Sequence, residues 1–386
     1  MSRKTVADRE KEELTASIVE CFASVPDPRM DRAKQHPLMD ILALSLCGVI
    51  CGADSFTDIE KFGHAKEDWL RTFLELPNGI PSHDTLGRVF AALNPAALAE
   101  AFRQWVASVA RLTKGEVVAI DGKTLRRSFR EAGSKSFVHM VSAFATSNRV
   151  VLAQVKTDEK SNEITAIPRL LELLAIKGCL VTIDAMGCQK DIAASIIDAG
   201  ADYLLGVKDN QPTLKAEIAA VFEAARRNPN GLDLDFHESR DRGHGRTEVR
   251  RCWTTGMVES LSHHRQWRNL NTIAMIEVDR TVGEHTSTEQ RYFICSQVKL
   301  AADSALDSSR RHWGIENEVH WVLDVAFRED DCRIRAGNAA ENFAVMRHLS
   351  LNLLKAVKNA KGGVKSRRLQ AGWDNAFLLR VLAATP

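Results

Sequence analysis

Two short apolar runs, each closing on an aspartate, constrain this chain most. Residues 115–122 read GEVVAIDG and residues 179–185 read CLVTIDA. Runs this short and this rich in β-branched residues predict buried strands. FVHMVSAFA (137–145), RVVLAQVKT (149–157) and DYLLGV (202–207) are strand-like too, and 164–176, 188–200 and 211–227 carry helical spacing. Three strands in series, then helix, strand, helix, strand, predict an α/β fold: a mixed sheet flanked by helices. Each aspartate is expected at a strand end, where its side chain leaves the sheet on a rigid base. Aspartate commonly opens a turn after a strand, so one such residue says little. Two in one sheet suit a shared site.

The flanking segments differ in character. Residues 1–112 have apolar positions at helical spacing and read as a helical N-terminal domain, with a Pro-rich break at 26–37. Residues 113–232 hold the sheet. Residues 233–300 contain RTEVRRCWTTG, LNTIAMIEVDRT and TEQRYFICS, read as short strands of a β-rich insertion. Residues 301–355 are helical again and complete the core, and 356–386 form a basic tail. Composition allows this, since 45% of residues are hydrophobic and can fill cores. No apolar run approaches the 18 or so residues of a spanning helix, so no membrane association is expected. The first residues mix charges and do not read as a secretory signal. Eight cysteines occur without C-x-x-C or zinc-finger spacing. The expected setting is reducing and cytoplasmic.

A third acid is sought in RRHWGIENEVHWVLDVAF (310–327). His312, Glu316, His320 and Asp324 recur every four residues and would share one stripe of a helix. Ile315, Val319, Val322 and Leu323 form an apolar stripe beside it. The alternative is a solvated face with Glu316 pairing His320. Trp313 and Trp321 are expected to pack inside. Three convergent carboxylates suit phosphodiester cleavage, in which two Mg²⁺ ions activate the attacking oxygen and stabilise the leaving one. Mg²⁺ takes a few carboxylates and keeps several waters.

These residues, taken together, carry a family resemblance. VPDPR and HPLMDILAL near the start, AIDGKTLR (119–126), EKSNEITAIPRLL (159–171), TIDAMGCQ (182–189), GADYLLGVKDNQP (200–212), HGRTEVR (244–250) and HWGIENEVHWVLDVAFRED (312–330) follow in order. The chain resembles the H-repeat-associated, ISAs-type transposases of bacterial insertion sequences. These are DDE transposases with an RNase H-like catalytic fold. The resemblance implies a catalytic, metal-holding triad of Asp121, Asp184 and Glu316, with two Mg²⁺ ions that Mn²⁺ can replace. It also implies an insertion between the last core strand and the glutamate helix. Where the broader pattern has Tyr, Arg and Lys around the glutamate, this chain has Ser309, His312 and Leu323, so Glu318 and Asp324 stay in view as the third acid.

Several residues are candidates for DNA contact. Lys123 and Arg126 follow Asp121, expected in one loop. Gln189 follows Asp184, and Lys208 and Asn210 follow DYLLGV. His244, Arg246 and Arg250 lie on the insertion, and His312 and His320, which flank Glu316, are read either as shaping the metal site or as contacting phosphate. Arg88 lies one turn into a helix that starts near Ser82, where phosphate binds readily. For each, a solvated or purely structural role is about as good a reading. Asn162 and Glu163 precede a helix, where a carboxylate suits the helix dipole.

The leading function is therefore a metal-dependent transposase acting on terminal inverted repeats and target DNA, as a homodimer or larger synaptic assembly at the nucleoid. A domesticated DNA-binding protein without catalysis is the alternative. A carboxylate-pair glycosidase ranks last, because only 6% of residues are aromatic. The net charge of +2 excludes a uniformly basic DNA-coating protein. It leaves room for local basic surfaces around an acidic centre.

Overall fold

The computed structural model describes residues 18–128, 137–157, 163–227, 233–243 and 245–385. A layer of helices comes first: α1 (Leu38–Ile50), α2 (Phe56–Ala65), α3 (Glu67–Leu70), α4 (His83–Ala92) and α5 (Pro95–Val109). Ser82 caps α4 by accepting from the Thr85 N–H, and Asn94 caps α5 ahead of a proline at its first turn. Residues 55–76 do not form one helix, because the chain breaks at Lys66 between α2 and α3.

One mixed sheet then organises the chain. Its strands are β1 (Val117–Leu125), β2 (Val138–Ala145), β3 (Val150–Lys156), β4 (Leu180–Ile183), β5 (Asp202–Val207), β6 (Asp235–Gly243), β7 (Arg246–Thr255), β8 (Thr272–Val282) and β9 (His285–Cys295). The spatial order is β3-β2-β1-β4-β5-β9-β8-β7-β6. β1, β4 and β5 run parallel, and the other neighbours are antiparallel. Val117 to Ile120 and Leu180 to Ile183 are buried throughout, as parallel strands covered on both faces must be. The connecting helices are α6 (Glu163–Glu172), α7 (Lys190–Asp198) and α8 (Pro212–Arg227).

The sheet departs from the sequence reading in two places. β1 does not stop at Asp121, because β2 continues to pair with it from Asp121↔Ser142 through Leu125↔Val138. It is β4 that stops, at Ile183. Lys123 therefore lies in the strand rather than in a loop. The insertion strands are also long, and they extend the core sheet through β9 on β5. β6 escapes a hydrophobic pattern altogether: DFHESRDRG is mostly charged. It is held by ladder bonds and cross-strand ion pairs, such as Glu238 with Arg251 at 2.9 Å.

After the sheet come α9 (Ala302–His312), a π turn (Glu316–His320), α10 (Trp321–Phe327), α11 (Ala339–Ala356), α12 (Val364–Trp373) and α13 (Asn375–Leu382). Residues 310–327 are thus not one continuous α-helix. Residues 356–386, expected as a basic tail, contain α12 and α13. Two of their arginines bond inward: Arg367 donates to the Leu354 and Ala360 carbonyls, and Arg368 to Val49, Ala53 and Asp54.

α11 joins the helical layer to the sheet, and every residue from Asn342 to Leu354 is buried. Asn352 bonds both backbone groups of Val151 on edge strand β3, at 2.9 Å each. This satisfies backbone groups that an edge would leave open. Asn342, fully buried, donates to the Phe90 and Leu93 carbonyls at the end of α4, at 2.8 and 3.1 Å. Replacing it with a leucine of similar size would leave those carbonyls without this donor. We expect Asn342→Leu to cost about 2–3 kcal/mol in urea unfolding, and a neutral result would show that α11 is held by apolar packing alone.

Candidate active site

The last parallel pair between β1 and β4 is Ile120 with Ile183. Asp121 is the next residue of β1 and Asp184 the first residue past β4, so their backbones stand side by side where β4 ends, although Asp184 is not in the group of donor atoms that converges around Asp121. Asp184 then opens a 3-10 turn (Ala185–Gly187), and its carboxylate accepts from the Met186 N–H at 3.0 Å. The loop after β5 secures that turn. Asn210 donates to the Ala185 carbonyl at 2.5 Å and Gln211 to the Cys188 carbonyl at 3.0 Å. Asn210, considered for DNA contact, thus has its amide nitrogen committed to the loop that carries Asp184. Gln189 stands at the N-cap position of α7 without a capping bond from its side chain, and its amide donates to the Met186 carbonyl at 3.4 Å.

The π turn and α10 run along β1. Four helical residues rise about 6 Å, close to the roughly 6.6 Å of two strand residues. Glu316 and His320 therefore stand against Asp121, while Asp324 stands against Lys123. Donor atoms of Asp121, Glu316 and His320 all lie within 4.8 Å of one another. The His320 Nδ1 is 3.4 Å from the Asp121 Oδ2.

The competing acids are engaged elsewhere. Asp324 accepts from the Lys123 ammonium at 2.6 and 2.7 Å. Glu318 pairs with Arg149 at 2.6 Å and with Lys355 at 3.4 Å. Lys123 is further faced by Asp330 at 3.6 Å, and Asp330 also faces Arg126 at 3.4 Å. Lys123 thus serves first as a counter-ion.

Electrostatics mark Asp121 as the stressed member. Burial is the main cause, and Glu163, Glu316 and Asp184 add repulsion against a backbone hydrogen bond from Gly122. Together they push its carboxyl up to about 7. Burial keeps His320 neutral, pulling its pKa down to about 3, helped by Lys123, His139 and His312. His312 is also held neutral by burial, and its Nδ1 lies 3.2 Å from the Thr182 hydroxyl.

Glu163 was read from sequence only as a helix-start residue, and its place here is closer to the chemistry. It begins α6 and accepts from the His139 Nε2 at 2.8 Å. A Cβ on Gly122 would fall 2.2 Å from the Glu163 carboxylate and 2.5 Å from His139. Glycine directly after Asp121 thus leaves room for the Glu163 carboxylate and the His139 ring to meet over the strand, and a side chain there would displace them. The sequence signal was that glycine together with an acid at the next helix start. Asn162 and His244 lie outside the described residues.

One cleft adjoins Asp184, and a second adjoins that cleft. A cavity of about 300 Å³ beside Asp184 is lined by Lys208, Arg291, Tyr292, His312 and Trp313. A second, of about 600 Å³, shares Arg291 and Trp313 with it and is lined by Arg246, Arg250, Arg280 and Arg310. Trp313 and Trp321 are not packed inside: they are 43% and 61% exposed, and the Arg291 guanidinium sits 5.3 Å from the Trp313 ring centre. The apolar stripe beside them buries Val319 and Leu323 instead. Arg250 is held by Asp241 and Glu248, and Arg246 by Glu248 at 3.0 Å. Arg88 is exposed on α4, bonded to the Thr85 hydroxyl at 3.2 Å.

The cluster's donor set fits a divalent cation. Two carboxylates and a neutral imidazole converge, and the repulsion on Asp121 is what a bound cation would relieve. The fold and site define an α/β protein whose mixed sheet carries a carboxylate cluster where a central strand ends.

The chain belongs to the DDE transposase family. The model of the Transposase DDE domain matches residues 112–353, and the DDE_Tnp_1-associated model matches residues 19–106. Relatives extend over nearly the whole length. "Putative transposase YncI" of Escherichia coli O157:H7 is 42% identical, covering 95% of each chain. "H repeat-associated putative transposase YhhI" of Escherichia coli K12 is 39% identical, covering 95% of this chain and 98% of that one. A piggyBac transposase synaptic complex with hairpin DNA gives a TM-score of 0.42 at 10% identity, over 95% of this chain and 77% of that one. That likeness is too slight to carry an argument. No helix among the described residues is long and apolar enough to cross a membrane.

A crowded carboxylate costs stability. Between its unfolded value of 3.8 and about 7, Asp121 is ionised when unfolded but protonated when folded. Folding stability is therefore lost as pH rises through that window. Without metal, Asp121→Asn should stabilise the protein at pH 8 by about 4 kcal/mol. The gain should vanish near pH 4, read by thermal melting at both values. A variant less stable than wild type at pH 8 would contradict the repulsion.

Proposed function

We propose that this protein is an active, metal-dependent DNA transposase. On this reading it cleaves DNA at the ends of its own element and joins the freed 3′-OH to target DNA. The observation that carries the reading is the placement of Asp121 and Asp184 side by side on parallel strands, with Glu316 against Asp121. The strand order β3-β2-β1-β4-β5, with β2 and β3 antiparallel, supports an RNase H-like core. Asp121, Asp184 and Glu316 would hold two Mg²⁺ ions, with Mn²⁺ able to substitute. Bound there, such ions neutralise the scissile phosphate and lower the pKa of the attacking water or hydroxyl.

The chain's own residues do the rest. Asp121, on a strand paired on both sides up to its own position, fixes the centre. The Asn210 and Gln211 bonds hold the Asp184 loop at a constant distance from it. Lys208 and Arg291, lining the cleft beside Asp184, would take phosphates flanking the cut. The arginine-lined cleft of the insertion would extend the DNA track, exchanging its internal acid partners for phosphates. Arg88 and the α4 start would contact element ends from the helical layer. Two ends must meet before joining, so we place the working form as a homodimer or larger synaptic assembly, acting in the cytoplasm at the nucleoid.

The test is cleavage of DNA bearing the element's terminal repeats by the purified chain with Mg²⁺ or Mn²⁺. Wild type should nick. Asp121→Asn, Asp184→Asn and Glu316→Gln should lose cleavage by about a thousandfold or more while retaining end binding. Glu318→Gln should keep cutting. Binding without cleavage by wild type would instead favour a catalytically silent DNA-binding protein. Affinity should fall steeply with salt as counterions are released, and a salt-independent affinity would contradict a phosphate-dominated interface.

A further inference from the structure

The acid cluster contains one donor that is not an acid. His320 is 6% exposed, and among the described residues neither ring nitrogen bonds a group outside the cluster. Its Nδ1 faces Asp121 at 3.4 Å, and its Nε2 is buried without a hydrogen-bond partner among those residues. His348, 3% exposed, is likewise without partners on either nitrogen among the described residues, so what sets His320 apart is that it faces the acid cluster. His320 also sits in the π turn, where the Trp321 N–H bonds the Glu316 carbonyl five residues back. Such turns are rare in helices and concentrate at functional sites.

The spacing suits direct ligation. Neighbouring donors about 2.1 Å from a shared octahedral ion stand about 3 Å apart. The 3.4 Å between His320 and Asp121 is close to that.

Resting on the metal reading above, we propose that His320 is a direct ligand of the cation held by Asp121 and Glu316. The centre then has mixed oxygen and nitrogen donors, and it prefers a first-row ion such as Mn²⁺ or Co²⁺ to Mg²⁺. Carboxylates alone suit Mg²⁺, whereas imidazole shifts affinity toward transition ions. No cleavage is needed to see this.

The experiment is pulsed EPR of Mn²⁺ bound to the full chain. Bound Mn²⁺ should show ¹⁴N imidazole modulation, which changes to a ¹⁵N pattern when the protein is labelled with ¹⁵N-histidine. His320→Gln should lose the modulation while still binding Mn²⁺. Its preference for Mn²⁺ over Mg²⁺ in competition titrations should fall about tenfold or more. If His320→Gln does not fold, the labelled wild type still reports whether an imidazole ligates.

Asp121→Asn separates the two levels of the claim. If it abolishes Mn²⁺ binding, yet Mn²⁺ on wild type shows no nitrogen coupling, His320 is not a ligand and the carboxylate reading stands. If Mn²⁺ binding is absent from wild type, or unchanged by Asp121→Asn, both the ligand proposal and the metal reading are overturned.

Discussion

Asp121 is a mostly buried carboxylate crowded by Glu163, Glu316 and Asp184, and the surrounding structure is arranged to sustain that repulsion. Nothing about folding favours it, because burial and like charge both oppose ionisation. The parallel β1–β4 pair fixes two of the acids in one register. Gly122 lets the third cross the strand, and the π turn presents the fourth. A chain tolerates such a conflict where a cation resolves it, which is why the cluster, and not the fold alone, carries the functional reading.

The support for this arrangement is distributed. Lys123 is pinned by Asp324 two residues along β1 from Asp121, which ties α10 to the strand beside the cluster. α11 closes the edge of β3 through Asn352 and grips the helical layer through Asn342. Arg368 gathers carbonyls from the end of α1 and from the residues that follow it. These contacts lie far apart in sequence, so the site depends on both ends of the chain reaching the same sheet.

Much of the centre was legible in advance for a physical reason. Buried parallel strands must be apolar on both faces, so VVAI and LVTI stood out, and the aspartate ending each run stood out with them. Glu316, His320 and Asp324 reach β1 at the four-residue spacing seen in the sequence, but across a π turn rather than along one α-helix. Other features left no periodic trace. β6 is charged because ion pairs and ladder bonds hold it, and its sequence reads as a loop. The extension of β1 past Asp121 depends on pairing with β2, which no local pattern encodes. The proposal of Glu316 over Glu318 and Asp324 rests on their partners: Arg149 and Lys355 hold Glu318, and Lys123 holds Asp324. Trp313 and Trp321 were misread because an aromatic pair on an amphipathic segment ordinarily packs inward, whereas here Val319 and Leu323 occupy the buried face.

The central claim is that these carboxylates gather to hold divalent cations. The most direct measurement is a crystal structure of the protein soaked in Mn²⁺, with anomalous scattering used to locate the ions. The account predicts an anomalous peak between Asp121 and Glu316, within bonding distance of both. Full Mn²⁺ occupancy elsewhere, for instance at Asp324 or Glu329–Asp331, with none at Asp121, would contradict it.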